Sequence, residues 1–179
     1  GMLRALVECG AEDAALGLMV DRPAAEAAHA AGVGATVNLS FGGHSGLAGD
    51  VPFTADFEVE SLHDGNFPAT GPFYRGAVFN LGPSACLRIG GVRVVVVCNK
   101  AQLADQAMYR FVGIEPKTQK ILVNKSSVHF RADFAPIAAT ILVCAAPGPM
   151  IADPADLAWR RLRQGVRLSP LGTTWNGAG

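Results

Sequence analysis

Apolar and polar positions divide the chain into three blocks of different texture. In the middle, residues 53–62 (FTADFEVESL) alternate apolar and polar, as a half-buried strand does. Residues 74–81, 86–89 and 92–98 read as further strands, punctuated by Gly and Pro. Asp64-Gly65 is a hairpin-type turn, and Gly90-Gly91 fits a two-residue hairpin loop. This block predicts an antiparallel meander.

The flanking blocks carry continuous apolar runs alternating with helical patterns. Residues 15–20 (ALGLMV) predict a strand, and 35–40 (ATVNLS) another. Between them Asp21 is placed to cap a helix with Pro23 in its first turn, running to about Ala31 before Gly32. Ahead of these, Leu3, Leu6 and Val7 have helical spacing that stops at Gly10. Nothing before them offers an N-cap, as expected of a helix whose beginning is missing. On the other side, VVVVC (94–98) leads to a helix over 105–112 ending at Gly113. A strand over 121–125 (ILVNK), a helix from about Val128 that Pro136 kinks, and a strand over 140–144 (TILVC) complete the pattern. Apolar strands alternating with helices imply parallel pairing with both faces covered. The fold class is mixed α/β: a partly parallel sheet, β-α-β units at both ends, and a central antiparallel β-meander. Residues 2–179 form a single domain, with about 149–179 an irregular basic tail carrying Arg160, Arg161 and Arg163.

Composition narrows the function classes. Fifteen basic and fifteen acidic residues cancel in 179, which leaves no electrostatic footprint for nucleic acid or an anionic membrane. No run approaches the ~18 uninterrupted apolar residues of a membrane span, and no secretory signal is present. Charged residues are only 17%, against a usual ~25%. That suits an Ala- and Gly-rich chain, and also a surface that a partner or a further domain covers. Cys9, Cys86, Cys98 and Cys144 make no C-x-x-C pair, so neither a zinc knuckle nor a redox motif is indicated. Cys98 and Cys144 end apolar runs and read as core thiols. A reducing cytoplasm is the expected location.

Ligands of open parallel sheets bind beyond the carboxyl ends of the strands. Three apolar strands here end in polar residues: Asp21; Asn99, Lys100 and Gln102; and Lys125, Ser126, Ser127 and His129. The last set is the richest. Lys125 supplies a charge, Ser126 or Ser127 can cap the helix that follows, and His129 can donate to a substrate oxygen or exchange a proton. A capped helix with a solvated Lys is the plainer alternative. The loop Gly42-Gly43-His44 follows a strand and could form an anion nest, although it leads to another strand and is no dinucleotide fingerprint. Glu26 and His29 lie three apart on one helical face, but no second carboxylate–His pair completes a metal site. His63 reads as a turn residue. A Ser–His–Asp arrangement or G-x-S-x-G element is lacking.

Three long stretches carry a resemblance. They are residues 14–46, residues 70–96 (TGPFYRGAVFNLGPSACLRIGGVRVVV) and residues 113–148, the last containing KSSVHFRADFAPIA. They are similar to the C-terminal domain of the microcystinase-C (MlrC) family of zinc-dependent hydrolases and metallopeptidases. The resemblance implies a domain catalytically incomplete alone, because the family's zinc ligands lie in an N-terminal metal-binding domain that this sequence does not contain. It further implies that Lys125, Ser126, Ser127, His129 and Arg131 face an interdomain cleft and bind a peptide-like or small anionic substrate, with loop contacts from Gly42, Gly43 and His44. No catalytic residue and no metal ligand is assigned to this chain, and zinc is expected only in the full-length family. After Arg163 the sequence departs from the family's tail. The alternatives are a stand-alone small-anion-binding module and an oligomerisation module, the latter as a homo-oligomer.

Overall fold

The computed structural model describes residues 1–43, 51–144 and 153–176. Its centre is a six-stranded mixed sheet built from β1 (Ala14–Val20), β2 (Thr36–Phe41), β3 (Phe53–His63), β6 (Ser84–Ile89), β7 (Val92–Val97) and β8 (Ile121–Asn124). Two short strands, β4 (Asn66–Pro68) and β5 (Val78–Asn80), form a separate ribbon. The spatial order of the large sheet is β2-β3-β6-β7-β1-β8. β2, β3, β6 and β7 pair antiparallel in turn, whereas β1 runs parallel to both β7 and β8. The mixed α/β class and the central meander are therefore as the sequence pattern predicts.

Strand composition follows burial. β7 lies in the middle, and Val92, Val94, Val95, Val96 and Val97 are all at 1% exposure or less, so the run is apolar on both faces. Arg93 interrupts it where the sheet face is uncovered. There it forms a ladder with Glu60, whose carboxylate accepts from Arg93 Nε at 2.7 Å and pairs with Arg88 Nε at 2.9 Å. Arg88 also binds Glu58. Edge strand β2 is polar outward: Asn38 Nδ2 donates to Asp56 Oδ1 (2.7 Å), and Thr54 Oγ1 donates to Ser40 Oγ (2.9 Å). The ladder Ile89↔Val92 confirms the tight loop at Gly90-Gly91.

Two helices cover one face. α1 (Met2–Glu8) inserts Leu3 and Leu6, and lacks a side-chain cap. α2 (Arg22–Ala31) begins where expected, because Asp21 Oδ1 accepts from Ala24 N at 3.0 Å. Its buried face is Ala24, Ala25 and Ala28, small residues that bring the helix axis close to the sheet. Together with Phe57, Val59, Leu87, Val94 and Val96 they make the first core. Each fully buried Phe, Leu or Val there contributes about 1.5–3 kcal/mol of hydrophobic stabilisation. The second core lies on the opposite face under α3 (Ala107–Arg110), α4 (Arg131–Phe134) and the β4–β5 ribbon. Tyr109 is its largest fully buried side chain, with its hydroxyl 3.1 Å from Val123 O and 3.0 Å from Asn124 Oδ1.

The structure departs from the sequence pattern in five places. The Asp64-Gly65 turn does not return the chain beside β3. It opens an excursion over 64–83 that carries the ribbon, and β3 pairs with β6 instead. The turn is closed at a neck, where Leu81 N donates to Gly65 O at 2.9 Å. Residues 74–81 supply only the three-residue β5, since the segment before it turns, with Ala77 N donating to Tyr74 O at 2.9 Å and Gly76 at φ +83°. The β-α-β order at the start joins β1 to a strand at the far edge that runs antiparallel to it, whereas β7–α3–β8 is a parallel crossover over β1. The helices expected over 105–112 and from 128 shrink to α3 and α4, each four residues, flanked by turns and a 3-10 segment at Ala135–Ile137.

The fifth difference is the segment 140–144, which forms no strand; Leu142 and Val143 are 80% and 77% exposed. β propensity needs a neighbouring strand to be realised, and none pairs with this segment among the described residues. Cys144 is accordingly exposed rather than a core thiol, while Cys98 is buried. The described part of the tail has one short 3-10 turn, Pro154–Asp156, and one isolated bridge, Arg167 to Thr174.

Candidate functional site

Because β7, β1 and β8 are parallel neighbours, their carboxyl ends share one edge of the sheet. The side chains that the sequence singles out at strand ends gather there for that reason. Asp21 is committed to capping α2. Asn99 Nδ2 donates to Asn80 O at 3.0 Å and ties β7's end to the ribbon. Lys125 extends the ladder: its N–H donates to Gly17 O at 2.8 Å, and its carbonyl accepts from Leu103 N at 3.3 Å. Its backbone is thus fixed while its side chain is exposed.

Ser126 is the cap. Its Oγ accepts from Phe130 N at 3.3 Å and shapes the turn that carries the rest of the motif. Ser127 is exposed. The His129 ring stacks on Phe73, centroids 4.1 Å apart and planes 11° from parallel. The Arg131 guanidinium lies over the Phe130 ring at 5.3 Å and forms no ion pair with a carboxylate among the described residues. His129 and Arg131 line a shallow concavity of about 360 Å³ together with Pro72, Phe73, Val128 and Ala132, and Lys125, Ser126 and Ser127 are not part of that lining.

The two walls of that concavity are fastened to one turn. Asp105 is fully buried and its carboxylate accepts from Thr70 N (3.0 Å), Thr70 Oγ1 (3.1 Å), Gly71 N (2.7 Å) and Ala107 N (2.9 Å). This anchors the wall that ends in Pro72 and Phe73. On the other wall, Asp133 Oδ2 accepts from Gln106 N at 2.6 Å, and Gln106 Nε2 donates to Asp133 O at 2.7 Å. Gly71 sits between the two carboxylates, and a Cβ there would come within 2.7 Å of Asp133 Oδ2 and 3.1 Å of Asp105 Cγ. Tyr74 OH adds a tie to Gln102 O at 3.2 Å. Arg110 extends the network, donating to Gln106 Oε1 (2.7 Å) and Glu115 Oε2 (2.9 Å), and this partner holds the Glu115 carboxyl below its ordinary range. Buried Asp survives only where its oxygens are paired, as they are here.

The strand-end pattern singles out Lys125, Ser126, Ser127 and His129, and the family resemblance adds Arg131; neither singles out Phe73, Asp105, Gln106 or Asp133. An Asp immediately before a short helix was the available signal for Asp105, since its Oδ1 caps that turn through Ala107 N. Gly42 and Gly43 do not join the strand-end residues. β2 is antiparallel to β1 and lies at the opposite end of the sheet, so its carboxyl end is on the other edge. His44 lies outside the described residues.

The remaining histidines have structural partners. His29 Nε2 is 3.0 Å from Ser84 O and links α2 to β6. His63 Nδ1 accepts from Gly65 N at 2.9 Å at the mouth of the excursion, as a turn residue should. A protein zinc site needs three or four His, Cys or carboxylate ligands. Among the described residues no three such groups converge, so they do not fit a zinc ion. No helix among the described residues is long and apolar enough to cross a membrane.

Comparison with known proteins agrees with this architecture. The family model described as MlrC C-terminus matches residues 1–161. Microcystinase C from Sphingomonas sp is 24% identical over 147 residues, which cover 80% of this chain and 28% of that protein. The crystal structure of a metallopeptidase candidate from Mesorhizobium sp. BNC1 superposes with a TM-score of 0.69 at 30% identity, covering 78% of this chain and 28% of the other. The chain thus spans little more than a quarter of either relative. With a match running almost from end to end, the chain belongs to the MlrC C-terminus family.

Proposed function

We propose that this chain is the substrate-binding C-terminal domain of an MlrC-type metal-dependent hydrolase, a metallopeptidase in the broad sense, whose zinc-binding domain lies on polypeptide outside it. The observation that carries the proposal is the delivery of Lys125, His129 and Arg131 to the carboxyl edge of three parallel strands. Lys125 and Arg131 have no carboxylate partner among the described residues. Two such cations suit a substrate carboxylate or an oxyanion formed during hydrolysis, held in a cleft whose other wall and metal come from the metal-binding domain. The exposed Leu142 and Val143 suit a surface that such a domain covers. In this arrangement the domain binds and orients, and is inactive alone. A cytoplasmic setting accords with its free thiols.

Metal analysis and a peptidase assay on the purified chain test the proposal. Less than stoichiometric zinc and no turnover are expected. One tightly held zinc per chain, lost on replacing His29 or His129, would overturn it. A second reading is a small-anion-binding module standing alone, favoured by the same two unpaired cations. Titration with phosphate, sulfate and acetate separates them: binding abolished by Lys125→Ala, in a chain whose natural form has no metal-binding domain, selects the second. Leu142 and Val143 would equally suit a homo-oligomer, and light scattering that finds a monomer at every concentration excludes it.

A further inference from the structure

The concavity beside the strand end has a composition of its own. Its lining is apolar apart from the Arg131 guanidinium and the His129 ring. One wall is the flat Phe73–His129 stack, with Phe73 43% exposed although it lies in a turn anchored by three hydrogen bonds to buried Asp105. A rigidly held, half-exposed aromatic ring loses little entropy when a second flat group packs on it. Arg131 is the cation at the rim, without a carboxylate partner among the described residues, and is held over Phe130. Guanidinium pairs with a carboxylate in a bidentate, planar fashion. The matching ligand has a flat apolar group next to a free carboxylate.

We infer that this concavity is a binding subsite for a carboxylate-bearing ligand with an adjacent aromatic or flat apolar group, the flat group packing against Phe73 and His129 and the carboxylate pairing with Arg131. The inference rests on the reading of this strand end as ligand-facing, but not on a metal or on hydrolysis. Phe73 and Arg131 are the specificity determinants. Asp105 and Asp133 are positioning residues, because each fastens one wall to the Asp105–Gln106 turn.

The test uses the whole chain and three probes followed by amide and side-chain NMR: N-acetylphenylalanine, its primary amide, and N-acetylglycine. N-acetylphenylalanine is expected to shift resonances of Phe73, His129 and Arg131, and to bind at least about fivefold more tightly than either other probe, the ~1 kcal/mol of one exposed charge-assisted contact or one ring contact. Arg131→Gln should abolish the preference for acid over amide. Phe73→Leu should abolish the preference over N-acetylglycine. Both side chains are exposed, so both variants should stay folded and melt within a few degrees of wild type, the ~1 kcal/mol of one ring contact. Equal binding of all three probes, shifts located away from the concavity, or preferences that survive both variants would overturn the inference. Within a positive result, tighter binding of Ala-Ala-Phe than of N-acetylphenylalanine assigns the ligand to a peptide C-terminus, and equal binding assigns it to a small acid. Stoichiometric zinc in the isolated chain would remove the hydrolase-domain proposal and leave this subsite standing, whereas silent probes would remove the subsite alone.

Discussion

Replacing Asp105 by Asn should be among the most damaging isosteric changes available to this protein. The carboxylate is fully buried and accepts four hydrogen bonds, two at each oxygen. The amide can keep its carbonyl where Oδ2 receives Thr70 N and Gly71 N. Its NH2 then takes the place of Oδ1 and faces Thr70 Oγ1 and Ala107 N. The threonine hydroxyl can rotate to accept, but the buried Ala107 N–H cannot and is left facing another donor. An unsatisfied buried donor costs about 1–3 kcal/mol. The bonds that remain also lose their charge assistance, worth about another 1 kcal/mol. The sum is about 3 kcal/mol. For a chain of this size that lowers the melting temperature by roughly 6–12 °C. Thermal and urea unfolding would measure it, with Thr70→Val as a reference that removes one hydroxyl bond and costs about 1 kcal/mol. The stack should report the local consequence, since Phe73 no longer holds the His129 ring in its current field and the His129 proton resonances should move downfield. An Asp105→Asn protein with wild-type melting and an unshifted His129 would refute the assignment of Asp105 as the anchor of this wall.

Gly65→Ala should destabilise by more than about 2 kcal/mol, because the residue has φ +82° and a Cβ would overlap the Gly82 backbone, as urea unfolding will show. Native protein should expose two thiols to a disulfide reagent, Cys9 and Cys144, with Cys86 and Cys98 reacting only on unfolding. Cys86 is the more inert, since burial first and the nearby Glu60 second push its thiol far above the ordinary range. Lys120→Met should raise the titration midpoint of Asp13 in a carboxyl NMR titration, because hydrogen bonding and charge from Lys120 hold it low, at 2.8 Å. The folded value lies below the unfolded one, so this pair's small contribution is complete above about pH 4 and lost as pH falls through the folded value. In the variant that contribution, and its loss in acid, is largely absent.

The sheet was legible because its strands obey burial. β3 alternates since one face is partly solvated, β7 is continuous since both faces are covered, and Asp21, Pro23 and Gly32 mark α2 to the residue. Strand order was not legible, because nothing in residues 35–40 says that β2 pairs with β3 at the far edge. Residues 140–144 misled because their pattern is that of a strand while no strand among the described residues pairs with them. At the candidate site, Arg131 came only with the family motif, while Lys125 to His129 follow one apolar run and could be read in a line. Phe73 and Asp105 could not: each is 24 or more residues away from His129 in sequence, and only the crossover from β7 to β8 brings the three segments together.

The excursion over 64–83 is docked at its neck, where Leu81 N donates to Gly65 O, and again through Asp105 to Thr70 and Gly71 and through Asn99 to Asn80. Between those anchors residues 72–78 are exposed apart from half-buried Tyr74, and a stretch of that kind can change in length at small cost, since loop-closure entropy grows only logarithmically. It carries Phe73, the aromatic wall of the concavity. Insertions and deletions in this one segment can therefore remodel ligand preference while the sheet's register, and with it Lys125 and His129, stays where it is. On the proposed reading, the cationic end of the subsite belongs to the frame and its aromatic end to a replaceable part, so what such a domain grips would be able to change without the sheet first having to refold.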